Sequence, residues 1–240
     1  MFRHKGKSRN FKHNLGLAAI LSFVAGIVNV AGFLAVQRLT TNVTGHFAFM
    51  VEAIKVDWHL SLFYALYIIC FFLGSFISNF IVEMMNGFAP RISFQIPVFI
   101  EASILISVAF LPYSFVIVHE NLIACILLFS MGFQNSLVTT ISNSVVRTTH
   151  LTGLFTDLGI ELSQLFFFKS KVQHQKLFSS IKLRFVIITS FFIGGLIAGV
   201  LFPIFKMRTL TLASVTLLCG LFIDFAIMEI RYVKIVRKRI

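Results

Sequence analysis

Six stretches of this sequence are long and apolar enough to cross a lipid bilayer, and they constrain the fold more than any other feature. The hydrocarbon core of a bilayer is about 30 Å thick and requires about 20 apolar residues per helix. The stretches are too long for the strands of a membrane β-barrel and do not alternate strictly between apolar and polar residues. The sequence therefore predicts an all-α membrane protein with six transmembrane helices, at Leu15–Val36, Leu60–Val82, Phe94–Val116, Leu122–Val146, Phe185–Phe205 and Leu210–Met228.

The composition excludes a water-soluble domain. Hydrophobic residues make up 58% of the chain and charged residues 12%, whereas a soluble domain carries roughly 25% charged residues. Too little polar surface is available to cover a water-facing globule. A net charge of +12 would suggest nucleic-acid binding in a soluble protein, but the positions of the basic residues provide another explanation.

Three clusters of five residues hold 15 of the 21 Lys and Arg residues, and six spans place all three clusters on one side of the membrane. Short loops rich in Lys and Arg face the cytoplasm. We therefore expect both termini in the cytoplasm, as basic tails at 1–13 and 231–240, and no nucleic-acid partner. The clusters are Arg3, Lys5, Lys7, Arg9 and Lys12, then Lys169, Lys171, Lys176, Lys182 and Arg184, then Arg231, Lys234, Arg237, Lys238 and Arg239.

The two halves of the chain share three motifs in the same order. Each half has a Gly-x-x-Asn, then a Thr-Thr-x-x-Thr-Gly, then a Phe-Phe-x-Gly. The motifs begin at Gly26, Thr40 and Phe71 in the first half and at Gly132, Thr148 and Phe191 in the second. Each half contains three spans, an odd number, so the second copy enters the membrane from the opposite side. The sequence thus predicts one integral membrane domain of two inverted repeats, at about 15–118 and 121–230, as in many secondary transporters.

A short apolar segment follows each Thr-Gly pair, at Gly45–Ile54 and Gly153–Phe168. Thr44 and Thr152 are suitable N-cap residues, so each segment is expected to be a helix that dips into the protein, one from each face. Two helix N-termini near the midplane would concentrate positive partial charge and suit an anionic or strongly dipolar ligand. The alternative is a pair of ordinary capped helices at the membrane interface.

These motifs have a counterpart in a known bacterial family. They are Gly26-x-x-Asn29, Gly32-Phe33 and Asn42-x-Thr44-Gly45 in the first half, and Gly132–Asn135, Arg147–Gly153 and Asp157 in the second. The pattern resembles the YoaK-type multi-spanning membrane proteins, a family of unknown function, from about Leu15 to Met228. The resemblance implies a multi-pass protein of the bacterial inner membrane with about six spans. The family pattern has an acidic residue in place of Asn29 and an Asn in place of His46, which puts a proton or cation role for position 29 in doubt.

A few polar residues inside the apolar spans are candidates for function. A charge at the bilayer centre costs at least about 2.5–3.5 kcal/mol, so Glu101 and Asp224 each need a partner, a cavity or a proton. We predict a coupling or gating role for these two carboxyl groups and for His150. The alternative is that they only stabilise helix packing. The small-residue stripes Gly74–Ser78 and Gly195–Gly199 are expected to let the second and fifth spans pack closely against neighbouring helices, and packing of these two spans against each other is one arrangement that would do so.

The leading functional hypothesis is a secondary transporter or channel-like permease for a small solute. An anionic solute would suit the expected site. Its partners would be the lipid bilayer and the solute, with homo-oligomerisation left open. The alternative is a membrane scaffold or sensor that acts through its basic cytoplasmic face. We expect no enzymatic activity, no cofactor and no metal, because phosphate-binding loops and nucleophile motifs are missing from the sequence. The predicted substrate-binding residues are Asn29, Thr44, Gly45, Gln134, Asn135, Thr152 and Gly153.

Overall fold

The computed structural model describes residues 10–90, 92–167 and 170–237, with side chains as far as residue 226. Within these residues the chain is all-α, as predicted, and no β-strand occurs. Residues 1–9 of the N-terminal basic tail, Lys169 and all side chains of the C-terminal basic tail lie outside this description. The helices are α1 (Phe11–Val36), α2 (Thr44–Ile54), α3 (Trp58–Phe88), α4 (Gln95–Ala109), α5 (Tyr113–Val118), α6 (Glu120–Ser142), α7 (Leu151–Gln164), α8 (Lys171–Phe205) and α9 (Leu210–Arg237), with a 3₁₀ turn at Lys206–Thr209.

Helices α1 and α6 form the centre of the molecule. They contact each other, and each packs along a second long helix, α1 against α8 and α6 against α3. Helices α4 and α9 pair with each other and cover the central pair, α9 on α1 and α4 on α6. In the most apolar stretch of each helix, 56% of α1 and 67% of α6 is buried, but only 17% of α3. The exposed apolar surface therefore belongs mainly to the outer helices, as expected where lipid is the solvent.

Four glycines allow the closest contacts between the long helices. Gly26 and Gly194 bring α1 and α8 together, and Gly74 and Gly132 do the same for α3 and α6. Each glycine lies directly on a backbone carbonyl of the other helix, and an added Cβ would overlap that oxygen. The carbonyls belong, in the same order, to Phe191, Phe23, Phe129 and Phe71.

The small residues of α3 and α8 do allow close packing, as predicted, but these two helices do not pack against each other. The stripe on α3 faces α6, and the stripe on α8 faces α1. A close approach needs a small residue on both helices. Helix α1 provides Gly26 for α8, and α6 provides Gly132 for α3. Helices α3 and α8 are consequently separated, each on the outer side of the central pair.

Four helical stretches of the described chain are long and apolar enough to cross a membrane, at Phe11–Val36, Trp58–Phe88, Glu120–Ser142 and Lys171–Ala226. The last stretch contains 56 residues and includes both α8 and α9, which correspond to the predicted fifth and sixth spans. Lys206 separates the two helices because its backbone has a positive φ of 49°, which interrupts the α-helical path.

The third predicted span, Phe94–Val116, is not one continuous helix. Helix α4 has only 15 residues, about 22 Å at 1.5 Å per residue. It ends at Ala109, and the short α5 begins after Pro112. Proline has no N–H for an intrahelical hydrogen bond and disfavours helical backbone at the residue before it. The uninterrupted apolar run was therefore a poor guide to helix length at this position.

Candidate functional site

The chain turns back sharply after each of the two central helices. Gln37, which follows α1, has a φ of 51°, and Asn143 and Ser144, which follow α6, have φ values of 54° and 63°. Left-handed backbone at a helix end reverses the chain direction. Each of the two following loops, 37–43 and 143–150, therefore returns along the helix that precedes it.

A threonine–asparagine hydrogen bond fastens each loop to its own helix. The Thr41 hydroxyl donates to Oδ1 of Asn29 over 2.6 Å, and the Thr148 hydroxyl donates to Oδ1 of Asn135 over 3.2 Å. Asn29 and Asn135 each lie seven residues before the helix end, at Val36 and Ser142, which corresponds to about 10 Å of helix. Both loops therefore reach well inside the helical assembly before α2 and α7 begin.

The loop bonds can be tested with Asn29→Ala and Asn135→Ala. Each substitution removes the only side-chain acceptor described for its threonine, so we expect faster amide hydrogen exchange confined to 37–44 or to 143–151 respectively. Asn86→Ala, at the far end of α3, is the control and should change neither segment. Unchanged exchange in both loops would show that other contacts hold them in place.

The predicted N-caps of α2 and α7 are wrong. Thr44 is already the first residue of α2 and Thr152 the second of α7, and neither hydroxyl caps its helix. In α2 the backbone N–H of Gly45 donates to Oδ1 of Asn42 over 3.3 Å. Asn42 therefore accepts a hydrogen bond at the start of the helix, a role that was expected of Thr44. Helix α7 has no side-chain cap. The hydroxyl groups of Thr44 and Thr152 are consequently free to face the space between the two loops.

That space is a cavity of about 1000 Å³, the central cavity. Both halves of the chain contribute corresponding residues to it, an asparagine, a threonine and a phenylalanine each. All three shared motifs are therefore represented in its wall. The lining residues are Asn29, Thr41–Thr44, Phe71, Ser75, Asn135, Ser136, Thr139, Thr140, Arg147, Thr149–Gly153 and Phe191.

Six of the ten residues predicted for the site line the central cavity. They are Asn29, Thr44, Asn135, His150, Thr152 and Gly153. Gly45 does not line it, since its Cα faces the Leu39 side chain. Gln134 is fully buried and its Nε2 donates to the carbonyl of Leu21 over 2.6 Å. Consecutive residues of a helix point about 100° apart, so Asn135 faces the cavity while Gln134 joins α6 to α1.

The two carboxyl groups predicted to couple or gate also lie away from the central cavity. Glu101, on α4, is completely buried, and both of its carboxyl oxygens lack a hydrogen-bond partner among the described residues. Asp224, on α9, is buried and accepts a hydrogen bond from Nε2 of Gln95 over 3.3 Å. Both belong to the helix pair that covers the back of α1 and α6. Direct contact with a solute in the cavity is therefore not expected of either group.

Several residues of the cavity wall were missed by the sequence prediction. Ser136, Thr139 and Thr140 line it together with Asn135, and two adjacent pairs separated by four residues form one broad helix face. This pattern could have identified them, because hydroxyl residues at such spacing are uncommon in an apolar helix. Phe71 and Phe191 stand first in the repeated Phe-Phe-x-Gly motif, which the prediction used to identify the repeat and not to place a site.

A smaller cavity of about 340 Å³, the antechamber, adjoins the central cavity. Arg147, His150 and Gly153 line both. On its other side, Arg184 of α8 forms ion pairs with Asp157 and Glu161 of α7, at 2.8 and 2.9 Å. These pairs attach α7 to α8, and the antechamber lies at the end of α6 that carries Ser142.

The opposite end of α6 is tightly packed by a set of residues that we call the α2-side cluster: Arg38, His46, Tyr67, Glu120 and Asn121. Arg38 and Glu120 form an ion pair at 3.2 Å, and the Tyr67 hydroxyl donates to Oδ1 of Asn121. His46 is buried against the ring of Tyr67, with 5.0 Å between centroids. This end of α6 is therefore held by an ion pair to the loop after α1, by a hydrogen bond to α3 and by the ring of His46 from α2.

Comparison with known proteins connects this geometry to a family. The family model described as "Protein of unknown function (DUF1275)" matches residues 17–223. The UPF0700 transmembrane protein YoaK of Bacillus subtilis (strain 168) is 26% identical over 191 residues, 79% of this chain and 84% of that protein. No solved structure matches the chain. The apolar helices and the transmembrane relative support a membrane protein, and the predicted YoaK-type resemblance is confirmed. This chain therefore belongs to the DUF1275 family of proteins of unknown function.

Proposed function

We propose that the protein is a small secondary transporter or channel-like permease of the bacterial inner membrane, with several spans and both termini in the cytoplasm. The observation that carries this proposal is the central cavity, an open space of about 1000 Å³ between the two loops, where Asn, Ser and Thr side chains interrupt a mainly apolar wall. Ligand cavities of proteins have volumes of about 300–1,000 Å³. The solute would bind between the two loops that follow α1 and α6.

An inverted repeat is supported by the pattern of helix contacts. If α1, α2, α3 and α4 are exchanged with α6, α7, α8 and α9, the packing of α1 on α8 becomes the packing of α6 on α3. The contact of α9 with α1 becomes that of α4 with α6. The four close glycine contacts exchange in the same way. We therefore propose two three-helix repeats, each with a re-entrant Thr-Gly segment, because backbone that leaves the helix at membrane depth is tolerated where it lines a cavity.

Two alternating conformations follow from such a repeat. The structure supports one of them: the central cavity adjoins the antechamber at the α7 side, while the α2-side cluster packs the other end. In the second conformation, the Arg38–Glu120 ion pair and the Tyr67–Asn121 hydrogen bond would open. We propose His150 as a gating residue, since it lines both cavities. Glu101 and Asp224 would influence the exchange indirectly, through the packing of α4 and α9 on the central helices.

A membrane scaffold or sensor, the alternative function, requires no internal space. A scaffold predicts a dry, closely packed interior, whereas asparagine, serine and threonine side chains surround the central cavity. The cavity thus favours the transporter over the scaffold.

Access of water to the cavity tests this proposal. In a background in which Cys70, Cys125 and Cys219 are replaced by alanine, we expect Thr139→Cys to react rapidly with a charged, water-soluble thiosulfonate reagent. Thr139 lines the cavity. Ser130→Cys is the control and should not react, because Ser130 lies on the opposite face of α6 and is fully buried. With vesicles of known orientation, labelling should be faster from the α7 side.

An unreactive Thr139→Cys in a folded protein would contradict a water-filled path and would leave the scaffold as the better hypothesis. Folding of each variant is checked by its elution as a single peak in size-exclusion chromatography.

A further inference from the structure

The charges around the central cavity favour an anion. Among the residues that line the central cavity, Arg147 carries a full positive charge and none is Asp or Glu. The nearest acidic groups of α7, Asp157 and Glu161, are both occupied by Arg184. A cationic group that faces a space with few neutralising charges attracts anions.

Arg147 is also placed to bind a ligand. It lines both the central cavity and the antechamber, and its side chain is exposed there. No hydrogen bond or ion pair joins its guanidinium to any described residue. A guanidinium offers parallel N–H groups that match the two oxygens of a carboxylate. Its binding capacity is therefore entirely available to a solute.

The two asparagines of the cavity present donors rather than acceptors. The Oδ1 atoms of Asn29 and Asn135 already accept hydrogen bonds from Thr41 and Thr148. No protein acceptor is described for either Nδ2, so the NH₂ groups are left to donate to whatever occupies the cavity. One such donor comes from each half of the chain, and both suit a solute rich in acceptor oxygens.

Two phenyl rings border the same space from opposite helix pairs. Phe71 belongs to α3 and Phe191 to α8, helices that lie on either side of the central pair. Both side chains are partly exposed, and both line the cavity. A small inorganic anion would have no contact to make with these rings. A solute with an apolar or planar body would bury them and gain the hydrophobic contribution.

We propose that the solute is an organic monoanion, a carboxylate attached to an apolar ring or branched body, with the carboxylate on Arg147 and the body between Phe71 and Phe191. This assignment rests on the proposed transport function and adds the chemical class of its substrate. The hydroxyl groups of Thr44 and Thr152 donate to the carboxylate lone pairs that Arg147 leaves open, and the amide NH₂ groups of Asn29 and Asn135 donate to other oxygen atoms of the solute.

Four probes of related shape test the assignment on the purified full-length protein. They are benzoate, its neutral isostere benzamide, acetate, which lacks the ring, and benzylamine, which has the opposite charge. We expect benzoate to raise the melting temperature and to bind at least about tenfold more tightly than the other three in calorimetry. Benzamide and benzylamine lack the charged carboxylate that pairs with Arg147, and acetate lacks the ring that contacts Phe71 and Phe191. Arg147→Gln should remove the preference for benzoate over benzamide, and Phe191→Ala the preference for benzoate over acetate.

Arg208→Gln serves as the matched control, because Arg208 is exposed and lies outside both cavities. Equal binding of benzamide or benzylamine, or no binding of any probe, would overturn the assignment. Labelling of Thr139→Cys distinguishes failure of the substrate class from failure of the transport function. A reactive cysteine with no benzoate binding rejects only the substrate class. An unreactive cysteine rejects the transport function as well.

Discussion

Purified Gly26→Ala protein will unfold at a clearly lower temperature than the unmodified chain, and Gly132→Ala will do the same. Each added methyl group would overlap a backbone carbonyl oxygen, of Phe191 or of Phe71. A backbone atom cannot rotate away, so the two helices must move apart. Overpacking of this kind typically costs about 1–3 kcal/mol. For a chain of this size that lowers the melting temperature by about 2–9 °C, with a methyl group against backbone at the upper end.

Gly87→Ala and Gly159→Ala are the matched controls. Both glycines lie in helices, α3 and α7, with no other atom near the position of an added Cβ. Alanine is favoured over glycine in a helix by about 1 kcal/mol, so these two variants should be as stable as the unmodified protein or more stable. Size-exclusion chromatography after heating in detergent measures all four. Equal stability of the four variants would show that α1–α8 and α3–α6 are not in the close contact described.

The largest functional effect is expected from Thr44→Val combined with Thr152→Val. Valine has the shape of threonine without the hydroxyl, and neither hydroxyl makes a hydrogen bond with the described protein groups. The fold should therefore be kept. Each hydroxyl lies in the central cavity, one from each half, and a lost hydrogen bond to a charged ligand costs about 1.5–3 kcal/mol. We expect the double variant to bind benzoate at least about a hundredfold more weakly and each single variant about tenfold.

Thr156→Val is the control for this pair, because Thr156 lies one turn further along α7 and its hydroxyl donates to the carbonyl of Thr152 over 3.0 Å. Its affinity for the probe should remain unchanged. A wider thermal-shift screen with phosphate, glutamate, alanine and acetate tests the same variants independently of the aromatic probe. A double variant that keeps full binding to every stabilising compound would contradict a site shared by the two Thr-Gly segments.

The positions of the main helices could be predicted from the sequence, since an apolar run of about 20 residues has few alternatives in a bilayer. Helices α1, α3, α8 and α9 each contain one predicted span, whereas α6 ends at Ser142, four residues before the predicted end of its span at Val146. Pro112 lies inside the predicted third span and interrupts its helix, but the prediction considered only the length of the apolar run. The N-cap assignment failed for a different reason: in 42–45, both Asn42 and Thr44 are capable of capping, and only the backbone path determines which one reaches the Gly45 N–H.

Residue types and their order along the chain thus determined the apolar helices, the two sets of motifs and the family. The direction of each side chain was decided only by the tertiary structure. Gln134 and Asn135 are adjacent amides with similar chemistry, yet one joins α6 to α1 and the other lines the cavity, because the packing of α1 and α6 sets the rotation of the helix. Glu101 was predicted to be a coupling group because it is ionisable and lies in an apolar span. The structure places it on α4, on the side of the central helices away from the cavity. Periodicity specifies which residues share a helix face, whereas only packing specifies what that face meets.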